Sequence, residues 1–174
     1  AERQRLDLTI DGADEIESGS LNLIKGHGGA LLREKIVAAA SDRMVVVSDS
    51  SKLVDRLGSV FTVPVEIVPF GWEATASRLR DLTDEVVLRL GPGSSGSGRG
   101  PYVTDGGHYI VDCRFSAMTD PGAVERDLAS IVGVIESGLF VGMAAEAFVA
   151  DPGGGMYAAI NAAVNLGGAA PMKV

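Results

Sequence analysis

A strand, a glycine-rich turn and a helix follow one another near the start of the chain, and this succession constrains the fold more than any other feature. In LNLIKGHGGALLREKIVAAAS, residues 21–24 predict a short strand before the glycines. The helical pattern that follows is expected to be apolar at Leu31, Leu32, Ile36 and Ala39. In RMVVVSDSS, residues 45–47 predict a second, fully buried strand. Strand, helix and strand in this order predict a parallel sheet, with ligands beyond the carboxyl ends of its strands.

From Phe61 onwards the order of elements changes to β-α-β-β-α-β. The segments that carry this order are TVPVEIV, EATASRLRDL, EVVLRL, HYIVDCRF, PGAVERDLASI and VIES. The order is typical of a ferredoxin-like, or split βαβ, unit. Between its middle strands lies GPGSSGSGRGPYVTDGG, which we interpret as an exposed insertion that ends in a hairpin turn at Asp105-Gly106.

The segment GLFVGMAAEAFVA is expected to return to the first sheet as one more strand. The sequence therefore predicts an α/β fold with a partial Rossmann-like parallel sheet domain, formed by residues 1–60 and 138–174. A ferredoxin-like α+β subdomain, residues 61–137, is inserted within it. The closing PGGGMYAAINAAVNLGGAAPMKV is either a short helix between glycines or a frayed tail.

The formal charge of −8 argues against nucleic acid or a membrane as a partner, because both would require a basic patch. A small anionic metabolite remains compatible with this charge, since phosphates are held locally by backbone N–H groups and one or two lysines. The most apolar stretch is too short to span a bilayer, and the chain opens without a secretory signal. These features indicate a cytoplasmic protein.

The single cysteine, Cys113, excludes an intrachain disulfide and favours a reducing compartment. Its place in YIVDCRF indicates a small buried hydrophobe rather than a nucleophile. His27 and His108 are too far apart, and too poorly supported by other ligands, to predict a metal site. GxxxxGK[ST] and GxGxxG are both absent, so no nucleotide cofactor is predicted.

Two carboxylates stand in IDGADE where the first strand ends. Asp11 closes the strand and Asp14 follows three residues later, so both can face one cleft, as proton shuttling would require. A plainer interpretation is that Asp11 caps a turn beside Gly12, while Asp14 and Glu15 are solvated. The residues alone favour this plainer interpretation.

The turn before the helix combines one lysine with three glycines. Backbone N–H groups at Gly26, Gly28 and Gly29 can cradle an anion, and Lys25 can stabilise negative charge on an oxygen. A flexible connection between strand and helix is equally compatible with the pattern. His27, inside this turn, either titrates near a site or lies at the surface.

Two further ionisable residues complete the candidate set. Glu34 lies early in the helix within REK, where the pattern alone predicts a solvated charged face. Lys52 follows the second strand in SDSSK and either reaches a phosphate or sugar hydroxyl or is an ordinary loop lysine.

Six segments, taken together in this order, favour the functional interpretations over the plainer ones: IDGADEIE, LNLIKGHGGALLREKIVAAAS, SDSSKLVDRLG, VPVEIVPFGW, VTDGGHYIVDCRF and GLFVGMA. Together, over residues 6–143, they resemble the type A ribose-5-phosphate isomerases. The resemblance implies an aldose–ketose isomerisation without metal or cofactor, acting on ribose 5-phosphate, in a homodimer or a dimer of dimers. It also implies the sheet domain with an inserted ferredoxin-like unit.

The resemblance also implies a role for each candidate residue. Glu34 would be the base that moves a proton between C2 and C1 through a cis-enediolate. Asp11 and Asp14 would line the site and assist ring opening and hydroxyl proton transfer. Lys25 would stabilise the enediolate charge, and Lys52 would bind the sugar phosphate.

Three departures from the family pattern accompany the resemblance. The family has a strand, a Thr/Ser-Gly phosphate-binding loop and helices before DGADE, so we expect this chain to lack the family's N-terminal part. His27 stands where many members have glycine, and beyond Ala144 the match is expected to fade. Two alternatives follow: a sugar-phosphate effector module of a transcription regulator, or a chain that is catalytically inert.

Overall fold

Three helices and fourteen strands occur in the part of the chain that this computed structural model describes, residues 5–92, 99–116, 118–151, 153 and 155–160. The helices are α1 (Leu31–Ala39), α2 (Trp72–Leu79) and α3 (Pro121–Ala129). The strands are β1 (Thr9–Asp11), β2 (Glu15–Glu17), β3 (Leu23–Ile24), β4 (Met44–Asp49), β5 (Leu53–Val54), β6 (Val63–Ile67), β7 (Glu85–Leu88), β8 (Leu90–Pro92), β9 (Arg99–Pro101), β10 (Tyr109–Arg114), β11 (Val134–Ser137), β12 (Leu139–Phe140), β13 (Ala144–Ala150) and β14 (Met156–Ile160). Among these described residues, no helix has the length and apolarity needed to cross a membrane.

The first sheet has the strand order β1-β4-β13-β14. Both β1 and β13 run parallel to β4, whereas β14 pairs antiparallel with β13. The predicted α/β fold with a parallel sheet is therefore confirmed, as is the return of the GLFVGMAAEAFVA segment to that sheet. The strand predicted at residues 21–24 does not join it, because β3 pairs antiparallel with β2 and β12 in a different sheet. Because β1 ends at Asp11 and β4 ends at Asp49, both carboxylates lie at the edge where ligands of parallel sheets bind.

The two faces of this sheet are covered unequally. Val46 of β4 is fully buried in a cluster with Ala38 of α1 and Phe140. On the opposite face Ile10 is 63% exposed and Val47 is 54% exposed, and no described helix lies over them. The prediction that residues 45–47 are buried throughout is therefore wrong at Val47, which shares a face with the buried Val45 but lies where no described helix covers that face.

Helix α1 buries a different set of positions from the one predicted. Leu31 is buried as expected, but Ile36 and Ala39 are exposed and Leu32 is only partly buried. The remaining buried positions are Lys35 and Ala38. The expected stripe was displaced because ion pairs with Glu125 and Glu136 satisfy the buried Lys35 ammonium, which hydrophobicity alone does not anticipate.

The second sheet confirms the predicted ferredoxin-like order. Its elements occur along the chain as β6, α2, β7, β10, α3 and β11, and its strands lie in the order β11-β6-β10-β7 with every pairing antiparallel. One apolar cluster fills the space between this sheet and its helices. Its fully buried members include Val63, Val65, Ile67, Leu79, Val111, Cys113 and Leu128. The division into domains at residues 60/61 and 137/138 stays a prediction.

Local signals fix the starts of two helices in this unit. Gly71 adopts a left-handed conformation (φ +66°) directly before α2. At α3, the Asp120 side chain accepts a hydrogen bond from the backbone N–H of Ala123, and Pro121 occupies the first turn. The arrangement at α3 is favourable at a helix N-terminus, since the Asp120 side chain satisfies one unpaired backbone donor and proline removes another.

Three smaller features were missed or only partly predicted. A third sheet with the strand order β12-β3-β2-β5 consists of strands of two or three residues, too short for a periodic signal. The flanks of the glycine/serine-rich insertion pair as β8 and β9, while residues 93–98 lie outside the described residues. The predicted turn at Asp105-Gly106 is present, closed by a hydrogen bond from the Gly107 N–H to the Thr104 carbonyl. Met156–Ile160 form a strand instead of the helix considered for this segment, and residues 161–174 lie outside the described residues.

Cys113 gives a direct test of the packing of this second core. Its side chain is fully buried, and burial together with the neighbouring Asp112 charge raises the pKa of the thiol from its usual 9.0 to about 12. A shift of three pKa units lowers the reactive thiolate fraction about 1,000-fold. We therefore expect an aryl disulfide reagent, which releases a coloured thiolate when it reacts, to label Cys113 readily in urea and negligibly in buffer. Rapid labelling of the folded chain would contradict this packing.

Candidate active site

A cavity of about 240 Å³ opens at the carboxyl end of β1. Three chain segments meet there: the turn after β1, the glycine turn after β3 and the first turn of α1. The residues that line the cavity are Asp11, Gly12, Ala13, Asp14, Lys25, Gly26, Gly28 and Glu34. The structure thus brings together the three segments that sequence reasoning selected separately.

Lys25 is the cation of this cavity. Its side chain is only 4% exposed, and its Nζ donates a hydrogen bond of 2.6 Å to the Gly12 carbonyl. The same Nζ lies 2.9 Å from Asp11 Oδ2 and 3.4 Å from Glu34 Oε2. The contact with Glu34 is an ion pair and not a hydrogen bond. Lys25 therefore links the carboxylates of Asp11 and Glu34 to the turn after β1.

Glu34 projects into the cavity from the fourth position of α1. Its side chain is 28% exposed, so it is not the freely solvated residue that the helical pattern alone predicted. Its Oε2 atom is buried and accepts no hydrogen bond, although the Lys25 ammonium lies nearby. Although Oε2 itself is buried, the Glu34 side chain as a whole is partly exposed and lines the cavity, so its carboxylate can contact a bound molecule.

Asp11 and Asp14 both line the cavity but are held differently. Asp11 Oδ1 accepts a hydrogen bond from the Gly12 N–H (2.8 Å), while its other oxygen pairs with Lys25. Asp14 Oδ2 accepts from the backbone N–H of His27 (3.0 Å), which ties it to the glycine turn. Asp11 and Asp14 can therefore contact different atoms of one small ligand.

The glycine turn depends on residues without a Cβ atom. Gly26 and Gly29 have φ values of +104° and +87°, a region that other residues rarely adopt. A Cβ at Gly26 would lie 2.7 Å from the Leu31 Cβ, and one at Gly29 would lie 2.1 Å from the Tyr102 hydroxyl. Gly28 faces open space, and a side chain there would meet nothing. The turn therefore exposes its backbone to the cavity.

Lys52 is not among the residues that line the cavity. It closes a short 3₁₀ turn after β4, and its Nζ is 4.7 Å from the centre of the Phe61 ring. That ring makes an edge contact with His27, whose Nε2 is 3.2 Å from the Thr62 carbonyl. At the start of the turn, hydrogen bonds from Ser51, reinforced by the Lys52 charge, hold the pKa of Asp49 below its usual value.

Glu15, which the sequence predicted to be solvated, is fully buried. Its Oε2 accepts a hydrogen bond from the Gly58 N–H, and its Oε1 accepts from the N–H groups of Val60 and Phe61. It therefore fixes the loop that carries Phe61 against His27. No local pattern signals this role, because all three donors lie more than 40 residues away in the sequence.

Arg89 is a second residue that sequence reasoning missed. It belongs to the ferredoxin-like unit, yet its guanidinium donates hydrogen bonds to the carbonyls of Gly26 and His27. In the sequence it stands at the end of a strand pattern, EVVLRL, where an arginine is unremarkable.

Comparison with known proteins identifies the relatives of this chain. A family model described as ribose 5-phosphate isomerase A (phosphoriboisomerase A) matches residues 1–154, so the match extends past Ala144, where it was predicted to fade. The chain is 56% identical over 154 residues to the ribose-5-phosphate isomerase A of Gloeobacter violaceus, covering 88% of this chain and 64% of that protein. It is 52% identical over 153 residues to the Synechococcus protein of the same name, with the same coverage. The chain thus spans less than two thirds of the length of these relatives.

Solved structures give the same relationship. A ribose 5-phosphate isomerase A from Methanocaldococcus jannaschii superposes with a TM-score of 0.81 at 36% identity, covering 90% of this chain and 66% of that one. A ribose 5-phosphate isomerase from Plasmodium falciparum has a TM-score of 0.83 at 32% identity, with coverages of 93% and 68%. A third structure, a D-ribose-5-phosphate isomerase in complex with phospho-erythronic acid, has a TM-score of 0.80 at 36% identity, with coverages of 90% and 66%.

Proposed function

The chain belongs to the ribose 5-phosphate isomerase A family, and from this premise we propose that it carries the catalytic residues of an enzyme that interconverts ribose 5-phosphate and ribulose 5-phosphate. The observation that best supports the proposal is the placement of Lys25 between Asp11 and Glu34 at one cavity. An aldose–ketose isomerisation requires a base, a shuttle for hydroxyl protons and a positive charge beside the reacting oxygens. The cavity wall supplies all three.

We assign the proton transfer between carbons to Glu34. In the forward direction its carboxylate removes the proton from C2 of the open-chain aldose, and the electron pair left behind forms a cis-enediolate across C1 and C2. Glu34 then returns a proton to C1, which leaves the carbonyl at C2. The position of Glu34 in the cavity wall, with a partly exposed side chain beside the Lys25 ammonium, supports this role.

We assign the handling of oxygen to the other three cavity residues. Negative charge builds up on the substrate oxygens in the enediolate, and the Lys25 ammonium is the positive charge that can stabilise it. To Asp11 and Asp14, which line the cavity, we assign the opening of the sugar ring and the movement of the hydroxyl proton between O2 and O1. We propose no metal or cofactor, because proton transfer to carbon does not require one when a lysine already supplies the charge.

Phosphate binding is assigned to the glycine turn and Lys52. In the turn that begins at Gly26, the N–H groups of His27 and Gly29 already donate to Asp14 and to the Gly26 carbonyl. We therefore assign the anion to the N–H groups of Gly26 and Gly28, just before the N-terminus of α1. Lys52 follows β4, whose carboxyl end lies beside that of β1, so Lys52 and Asp11 belong to the same edge of the sheet. We further propose a cytoplasmic enzyme that assembles as a homodimer or a dimer of dimers.

The proposal is tested by an isomerase assay on two proteins. One is the 174-residue chain, and the other is a chimera in which this chain replaces the matching 64% of the Gloeobacter violaceus relative. We expect the chimera to convert ribose 5-phosphate to ribulose 5-phosphate, and activity of the chain alone would show that it is sufficient. Binding of ribose 5-phosphate without turnover in the folded chimera would favour the effector-module alternative. Neither binding nor turnover would favour an inert chain, and either outcome would contradict the proposal.

A further inference from the structure

Arg89 connects the ferredoxin-like unit to the candidate site. It lies between β7 and β8, where its own backbone is fixed on both sides: its N–H donates to the Ile110 carbonyl and its carbonyl accepts from the Tyr102 N–H, each at 2.8 Å. Its side chain is only 13% exposed. These backbone hydrogen bonds hold Arg89 in place independently of the contacts that its guanidinium makes.

The guanidinium uses two different edges. Nε and Nη2 donate to the two carboxylate oxygens of Asp112 on β10, with an Nε to Oδ2 distance of 2.9 Å. Nη1 donates to the Gly26 carbonyl at 2.9 Å and to the His27 carbonyl at 3.2 Å. A two-point bond to a carboxylate orients the planar group, and only arginine offers further donors in that same plane.

The two carbonyls adjoin residues that we assign to the reaction. Gly26 directly follows Lys25, and the His27 N–H donates to Asp14. The helix that carries Glu34 has separate attachments to the ferredoxin-like unit, through Arg33 with Asp105 and Lys35 with Glu136. The turn and the helix are therefore fixed independently to the same unit.

We propose that Arg89 is a positioning residue: oriented by Asp112, it fixes the glycine turn and so sets the place of the Lys25 ammonium and the Asp14 carboxylate relative to Glu34. The turn needs such a support because Gly26 and Gly28 restrict their own backbone little. The catalytic part of this inference rests on the proposed isomerase function. The structural part, the fixing of the turn, does not.

Hydrogen exchange tests the structural part without any turnover. In Arg89→Met we expect the His27 and Gly29 amide hydrogens to exchange at least about tenfold faster, because the loss of charged hydrogen bonds favours local opening. The matched control is Arg114→Met, which removes an arginine of the same sheet that is 49% exposed and 3.8 Å from Glu85. Unchanged exchange at both amides in Arg89→Met would overturn the inference.

Kinetics of the chimera test the catalytic part. We expect Arg89→Met and Arg89→Lys to lower kcat by about 10- to 100-fold, with KM changed less than about threefold, because small misplacements of reacting groups mainly affect the chemical step. Guanidinium ions at millimolar concentration should partly restore kcat in Arg89→Ala, which a loss of folded protein would not show. Wild-type kcat in these variants would overturn the inference, whereas an inactive unmodified chimera would overturn the proposed function and leave the exchange result to decide on Arg89.

Discussion

Replacement of Glu34 by Gln is expected to lower kcat for ribose 5-phosphate by about 100- to 10,000-fold, the range found when a positioned general base is removed. Gln keeps the size of the side chain and one oxygen but cannot accept a proton from carbon. Because Glu34 Oε2 accepts no hydrogen bond, the substitution removes none at that atom. The loss should therefore appear in turnover, while the affinity for ribose 5-phosphate changes little.

Glu73→Gln is the matched control for this substitution, since Glu73 lies in the first turn of α2, is exposed and lies outside the candidate site. We expect its kcat and KM to equal those of the unmodified chimera. Turnover of Glu34→Gln within about threefold of the unmodified protein would show that another group is the base. Loss of substrate binding together with turnover would instead assign Glu34 a role in binding.

Replacement of Glu15 by Gln is expected to give the largest loss of stability, about 1–3 kcal/mol in the free energy of unfolding. The buried carboxylate accepts three backbone N–H groups, and each buried donor left without a partner costs about 1–3 kcal/mol. A neutral amide has one acceptor oxygen, and its NH₂ group must face at least one of those donors. Urea unfolding of the 174-residue chain, followed by circular dichroism, measures the change.

Glu85→Gln provides the comparison for Glu15, because Glu85 also lies on a strand but its side chain is largely exposed. Surface substitutions of this kind usually change stability by less than about 0.5 kcal/mol. Equal midpoints for the two variants would refute the assignment of Glu15 as a buried anchor of the loop at residues 58–61.

The sequence predicted the parts of this protein whose signals are local. The strand that ends at Asp11, the glycine turn after Lys25 and the helix that carries Glu34 were each predicted from neighbouring residues, and the ferredoxin-like order from alternating patterns. Their meeting at one cavity was predicted from a shared edge of parallel strands, but this reason holds only for β1 and β4, because β3 pairs antiparallel in a different sheet. Roles for the residues came only from the resemblance, since the helical pattern around Glu34 by itself predicted a solvated surface charge.

Features that depend on distant partners were not predictable in this way. Glu15 is buried because donors beyond residue 57 reach it, and Lys35 is buried because two carboxylates of the ferredoxin-like unit meet it. Arg89 of the ferredoxin-like unit contacts the glycine turn after β3, and no sequence pattern predicts how these two parts of the fold pack together. The exposure of Ile10 and Val47 was missed for the opposite reason. An apolar strand predicts that another element covers its side chains, and no element among the described residues covers these two.

The most direct test of proton transfer through Glu34 is isomerisation of ribose 5-phosphate by the chimera in deuterium oxide. A proton held on a carboxyl group can exchange with solvent before it returns to carbon, so we expect ribulose 5-phosphate that carries deuterium at C1. In Glu34→Gln, both the conversion and the labelling should be lost together. Full retention of the substrate hydrogen in every turnover, or undiminished labelling without Glu34, would contradict the proposed role of this residue.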